Sequence, residues 1–164
     1  MHAPASSRPV QAGPFARVHD RDELFADLSY AVRPDSARSV LVLFGFEGLK
    51  EHLELVTPSD GDELLGRFAE RLAGAIGTAA VLYEPRRGEF CAIFDGSLTA
   101  VRQHLVTIPT ELDEEARAFH IRSSLGIAVL PDEAPVPTYA MALADRRLRA
   151  LSGNLRPERL DHDD

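Results

Sequence analysis

The chain has 164 residues, of which 45% are hydrophobic and 27% are charged, and its formal net charge is −8. This size and mixture suit one globular domain with a buried core, and the negative charge argues against nucleic acid and anionic membrane surfaces as partners. The single cysteine, Cys91, excludes an intrachain disulfide. Because the chain also lacks a signal peptide and a long apolar run, we expect a cytoplasmic protein.

The first half of the chain predicts three helices and one strand. Residues 16–32 have helical apolar spacing that Pro34 interrupts, and residues 39–46 form a continuous apolar run typical of a buried strand. A short helix follows and ends before Pro58. We then predict a long amphipathic helix that ends at Gly77, with Ser59 as its N-cap and Asp62 three positions later, as in a capping box.

The second half predicts a β-hairpin, a helix, a strand and a last helix. The segments AAVLYE and EFCAIF alternate around the turn Pro-Arg-Arg-Gly, and Ser97 opens the next helix. A strand over residues 116–130 and a helix over residues 138–153 complete the order α-β-α-α-β-β-α-β-α. This order predicts an α+β sandwich with a central, mainly antiparallel mixed sheet flanked by helices.

Five segments in this order resemble motifs of the GGDEF domain of bacterial diguanylate cyclases. They are LVLFGFEGLK, GDELLGRFAERL, RRGEFCAIF, SSLGIAVLP and ALADRRLRAL. The resemblance covers residues 16–157 and leaves residues 1–15 as a predicted disordered tail and residues 158–164 as an acidic tail. It implies the nucleotidyl-cyclase palm-like fold. It also implies an ancestry among enzymes that condense two GTP molecules into cyclic di-GMP with two divalent cations.

The chain departs from the family pattern where the metal ions would bind. In the family, two carboxylates hold the metal ions, and their positions here are Gly45 and Gly88. The hairpin motif is degenerate, and it consists of Arg86, Arg87, Gly88, Glu89 and Phe90. The two arginines replace glycines, so we expect their side chains to fill the space of a triphosphate or to contact a phosphate from outside. We therefore predict no catalytic residues, no metal site and no cofactor.

The resemblance also indicates which nucleotide contacts are retained. The family's guanine-binding Asn corresponds to Leu53, whereas the Asp beside it is retained as Asp62, a residue that would also suit the first turn of a helix. Of the phosphate-binding cations, Lys50 and Arg156 are retained. The product-inhibition motif would fall on Gly77 and Ala80, which cannot bind a nucleotide. Lys50, Asp62, Arg86, Arg87 and Arg156 thus form a vestigial nucleotide site.

Three hypotheses follow from this pattern. The leading one is an inactive GGDEF-like domain that works as a regulatory or protein-interaction module, with an unidentified signalling protein or a second copy as its partner. An alternative is a non-catalytic sensor of GTP or cyclic di-GMP. Another alternative is a cyclase whose Mg²⁺ site is rebuilt from Glu47 and Glu89. The basic cluster of Arg146, Arg147 and Arg149 is either a solvated helix end or a docking patch for an acidic partner.

Overall fold

A computed structural model describes residues 17–106, 108 and 121–154 of the chain. The predicted tails, Arg156 and the first part of the predicted strand at residues 116–130 lie outside these ranges. Helices and strands follow one another in the predicted order: α1 (Arg21–Ala31), β1 (Ser39–Glu47), α2 (Leu49–Leu55), α3 (Pro58–Ile76), β2 (Ala80–Arg86), β3 (Glu89–Asp95), α4 (98–106), β4 (Arg122–Leu130) and α5 (Pro137–Asn154).

The four strands form one sheet in the order β2-β3-β1-β4. All three strand pairs are antiparallel, and an isolated bridge between His19 and Tyr83 adds one parallel contact. The predicted mainly antiparallel mixed sheet is therefore confirmed. Strand β1 lies between β3 and β4, and its side chains enter the core on each face of the sheet, which explains its continuous apolar run.

Helices cover both faces of the sheet and create two hydrophobic cores. Helices α2, α3 and α4 pack on one face around a core that includes Phe44, Phe68, Leu72, Phe90 and Phe94. Helices α1 and α5 pack on the other face around Leu24, Leu28, Leu41, Ile93 and Leu143. In the described ranges, no helix has the combination of length and apolar character that crossing a membrane requires.

The start of α3 differs from the prediction. Thr57, not Ser59, is the N-cap, and its side chain accepts the backbone N–H of Asp60 at 3.1 Å. Pro58 occupies the first helical position, where its fixed φ favours the helix and its missing N–H costs no hydrogen bond. Asp62 consequently lies in the second turn, so the electrostatic explanation for an acid in the first turn applies to Asp60 instead.

Cys91 is a small core residue on β3. Its side chain is buried against α1 and α5. Burial raises the pKa of the Cys91 thiol to about 12, so the thiol stays protonated and unreactive at neutral pH.

Candidate functional site

A groove of about 860 Å³ crosses the end of the sheet that carries the β2–β3 hairpin. Strand β1, the hairpin and helices α1, α2 and α5 line it. The structure brings several predicted site residues together along this groove, namely Gly45, Lys50, Arg86, Arg87, Gly88, Glu89 and Phe90. Asp62 lines a neighbouring cavity of about 480 Å³ on the α3 side of the hairpin, and Arg156 lies outside the described residues.

The hairpin closes through a two-residue turn formed by Arg87 and Gly88. Strand β2 continues two residues beyond its predicted end, through Pro85 and Arg86, so that Arg86 pairs with Glu89 across the hairpin. Gly88 has φ 84°, a left-handed conformation that favours glycine at this turn position. Its backbone N–H donates to the Glu84 carboxylate at 3.0 Å, and this hydrogen bond stabilises the turn.

Arg87 lines both the groove and the neighbouring cavity, and its guanidinium contacts α3. Its Nη2 atom donates to Asp62 Oδ1 at 2.9 Å and lies 3.5 Å from the carbonyl oxygen of Pro58. The same guanidinium packs on Gly61, where an added Cβ atom would lie only 2.8 Å from Arg87 Nη2. The expectation that the two arginines fill the space of a triphosphate or contact a phosphate from outside stays a prediction, and in this structure Arg87 contacts α3. Its guanidinium engages the one retained carboxylate of the vestigial purine site.

Gly45, the first position predicted to have lost a metal carboxylate, lies against the end of a side chain of α5. A Cβ atom added at Gly45 would lie 2.8 Å from Leu148 Cδ1 and 3.0 Å from Ser124 Oγ. Both distances are shorter than ordinary van der Waals contacts. A carboxylate at position 45 therefore requires Leu148 to move.

The second lost metal position has apolar surroundings. A Cβ atom at Gly88 would lie 3.4 to 3.8 Å from the side chains of Leu53, Leu49 and Leu65. An acid there would combine an unfavourable positive φ with a desolvated charge. Among the described residues, no group of three or more His, Cys, Asp and Glu side chains could hold a metal ion. The residues at this site therefore do not fit the pair of divalent cations that the family uses.

The two acids considered for a rebuilt metal site are not brought into one groove. Glu89 lines the groove beside the turn, whereas Glu47 does not line it and stands opposite Arg122 across the β1–β4 pair. Phe90, the last residue of the hairpin motif, is 2% exposed and belongs to the core under α3. Its role is packing.

The basic cluster on α5 is largely paired. Arg147 makes two hydrogen bonds with the Glu133 carboxylate, at 2.8 and 2.7 Å, and a third with the Ile127 carbonyl at 2.9 Å. This contact lowers the pKa of Glu133 and raises that of Arg147. Arg149 pairs with Asp145 at 3.0 Å. Two of the three arginines thus form ion pairs, one within α5 and one with the segment that connects β4 to α5, and this weakens the docking-patch interpretation.

Two residues that shape the site were missed by the sequence predictions. Leu148 continues the buried series of Ala140 and Ala144 at four-residue spacing, so its inward direction could have been read from the helical period. No sequence pattern indicates the role of Glu84, because the contact of its carboxylate with the turn depends on the register shift between Tyr83 and Arg86.

The comparisons with known proteins agree with this architecture. A family model described as the diguanylate cyclase, GGDEF domain, matches residues 15–156. The GGDEF domain of FimX from Pseudomonas aeruginosa superposes with a TM-score of 0.69 at 20% identity, covering 87% of this chain and 93% of that chain. The GGDEF domain of DgcB from Caulobacter crescentus in complex with c-di-GMP gives 0.70 at 19% identity, covering 90% and 92%.

A third similar structure is the diguanylate cyclase SiaD in complex with its activator SiaC from Pseudomonas aeruginosa. It has a TM-score of 0.68 at 14% identity and covers 84% of this chain and 56% of that chain. A comparison with curated protein sequences gives no match. At these identities the structural likeness establishes the fold. Since the family model extends over nearly the whole chain, this protein belongs to the GGDEF domain family of diguanylate cyclases.

Proposed function

We propose that this GGDEF domain does not condense GTP and instead acts as a regulatory or protein-interaction module in cyclic-di-GMP-related signalling in the bacterial cytoplasm. The observation that carries the proposal is the pair of former metal positions. Leu148 packs against Gly45, and three leucines surround Gly88. Both positions lack a carboxylate; Leu148 occupies space that one would need at position 45, and position 88 has apolar neighbours at van der Waals distance.

The energetic consequence for catalysis is large. Phosphoryl transfer of this kind depends on divalent cations that activate the attacking hydroxyl and neutralise the triphosphate. Their stabilisation of the transition state amounts to several kcal/mol, and each loss of about 1.4 kcal/mol costs tenfold in rate. Lys50 and Arg86 can supply positive charge along the groove, but a cationic side chain does not generate a nucleophile as a metal ion does.

A protein partner is consistent with what the similar structures contain. SiaD is a diguanylate cyclase that forms a complex with a separate activator protein. A domain with this fold can bind a protein partner through its surface without catalysing a reaction. We infer that a signalling protein or a second copy of this chain is the partner.

The test is a product assay on the purified protein. Incubation with GTP and either Mg²⁺ or Mn²⁺, followed by chromatography, should return GTP without cyclic di-GMP, while an active GGDEF domain assayed in parallel forms the product. Metal-dependent formation of cyclic di-GMP by this protein would overturn the proposal.

A second candidate function is a sensor that binds GTP or cyclic di-GMP without turnover. Five cationic side chains but only three acidic ones line the groove, although the chain as a whole has a net charge of −8. This local excess of positive charge favours an anionic ligand. Calorimetric titration with each nucleotide tests it: the sensor predicts saturable binding that Lys50→Ala weakens and Arg146→Ala, a change outside the groove, leaves intact. Absence of saturable heat rejects the sensor.

A further inference from the structure

The chain enters the domain along the open edge of the sheet. The backbone N–H of His19 donates to the Leu82 carbonyl at 2.9 Å, and the N–H of Glu84 donates to the His19 carbonyl at 2.8 Å. His19 itself is only 4% exposed, and its ring packs on Tyr83 with 5.6 Å between the ring centres. The entry segment, residues 17–20, is thus attached to β2 by backbone and side-chain contacts together.

The same segment is anchored to the first turn of α1. His19 Nδ1 lies 2.8 Å from Glu23 Oε2, and Arg17 contacts both the imidazole and the Glu23 carboxylate. The hydrogen bond from Arg17 holds the pKa of Glu23 at about 2, so this carboxylate is ionised at neutral pH. Asp20 and Glu23 also form a reciprocal capping box at the start of the helix.

Glu84 connects this anchored segment to the hairpin turn. Its backbone N–H is bound by His19, and its carboxylate accepts the N–H of Gly88 at 3.0 Å. Arg87 immediately precedes Gly88 in the turn, and it binds Asp62 on α3. Three hydrogen bonds and the peptide bond between Arg87 and Gly88 therefore connect the entry segment through β2 to the hairpin tip and to α3.

We propose that His19 is a positioning residue for the hairpin, so that displacement of the entry segment loosens the turn and its Arg87–Asp62 contact. The physical reason is that His19 fixes the backbone of Glu84, and Glu84 in turn fixes Gly88. The hairpin tip lines the groove, so the entry segment controls the shape of that surface. This inference rests on the proposed function only in treating the groove as an interaction surface; the coupling itself does not depend on it.

Hydrogen exchange measured by NMR on the full chain tests the coupling. The quantity is the exchange rate of the Gly88 amide relative to that of Val42, which lies in the central strand and reports global opening. His19→Ala keeps the backbone carbonyl that binds Glu84 but removes the imidazole contacts with Glu23 and Tyr83 that hold the segment in place. We expect it to raise this ratio by about three- to tenfold, the equivalent of the lost hydrogen bond between the imidazole and Glu23. His19→Asn, whose side-chain amide can replace the Nδ1 contact with Glu23, should restore most of the protection.

Two further variants make the result decisive. Tyr83 lies on the same strand as Glu84, and Tyr83→Phe removes its hydrogen bond to Asp27 on α1 without touching Glu84, so it should leave the ratio unchanged. If the His19→Ala protein fails to fold, Glu23→Ala serves in its place. This variant removes the carboxylate that holds His19, and it should raise the ratio. An unchanged ratio in His19→Ala and Glu23→Ala, or an equal rise in Tyr83→Phe, would overturn the coupling. Detection of cyclic-di-GMP synthesis would overturn the proposed function and leave this coupling intact.

Discussion

Two glycines lie under the same helix, α5, and they show how the scaffold and the site of this domain differ. At Gly126 on β4, an added Cβ atom would lie 2.0 Å from the backbone carbonyl oxygen of Ala144. At Gly45 on β1, the nearest atom would be Leu148 Cδ1, the end of a side chain, at 2.8 Å. The first glycine is required by the approach of two backbones, whereas the second adjoins a side chain that can move.

The comparison teaches that the scaffold is constrained by its backbone and the site by its side chains. A backbone contact of this kind cannot be relieved without shifting the helix from the sheet, so Gly126 belongs to the geometry of the fold. The space beside Gly45 is filled by one leucine. The space beside position 45 can therefore change through one side chain while the architecture of the domain is kept.

The largest effect is expected when the scaffold glycine is changed. Gly126→Ala should lower the free energy of unfolding by about 3–5 kcal/mol, because the new methyl group cannot be accommodated without moving α5. Chemical denaturation measures this value. Gly74→Ala is the control, since nothing lies within 4 Å of its added Cβ on α3, and it should stabilise by about 0.5–1 kcal/mol. A cost below about 1 kcal/mol for Gly126→Ala would remove the distinction between the two glycines.

A smaller effect is expected at Gly45, and a second substitution at Leu148 should relieve it. Gly45→Asp should destabilise by about 1–3 kcal/mol, because its side chain overpacks against Leu148. In a Leu148→Ala background the same substitution should cost at least about 1 kcal/mol less, since the conflicting side chain is gone. A double-mutant cycle by denaturation measures the coupling. Strict additivity of the two substitutions would show that Leu148 does not occupy the space of a carboxylate.

The connection between β4 and α5 gives a prediction with a pH dependence. Arg147 lowers the pKa of Glu133 from its ordinary value of 4.5, so the contribution of this pair to stability is complete above pH 4.5 and is lost as the pH falls below it. Arg147→Ala should cost about 1 kcal/mol at neutral pH, a modest value because both side chains are partly exposed. It should also flatten the loss of stability below pH 4.5. An identical acid dependence in both proteins would contradict the pairing.

The smallest effect is expected at the hairpin tip. The side chains of Arg87 and Asp62 are 49% and 72% exposed, so their ion pair is screened by water. A double-mutant cycle with Arg87→Ala and Asp62→Ala should give a coupling of about 0.2–1 kcal/mol that declines as salt is added. A coupling that is zero at low salt would mean that Arg87 does not hold the hairpin to α3.

The sequence predicted the fold well because its information is local and periodic. The apolar run of β1, the amphipathic pattern of α3 and the alternating hairpin strands each specify an element, and their order specifies the sheet. The N-cap of α3 was placed two residues too late, because Ser59 and Thr57 are both good caps. The proline at position 58, which favours the first helical position, was the signal that distinguishes them.

The site was less predictable because its decisive contacts are distant in sequence. Gly45 and Leu148 are separated by more than half of the chain, and only the packing of α5 on β1 brings them together. The contact of Arg87 with Asp62 depends on the direction of a long side chain at a turn, which no local pattern specifies. The sequence could therefore indicate which carboxylates are missing but not what occupies their place.

The most direct test of the central claim is an assay at high protein concentration with labelled GTP in slight excess over the protein, so that two GTP molecules can meet, and with Mg²⁺ or Mn²⁺ present. Such conditions detect even one slow catalytic event per protein, and a domain known to be active serves as the reference. We predict that the label remains in GTP at the level of a protein-free blank throughout a long incubation. Protein-dependent transfer of the label to cyclic di-GMP that a chelator abolishes would contradict the account.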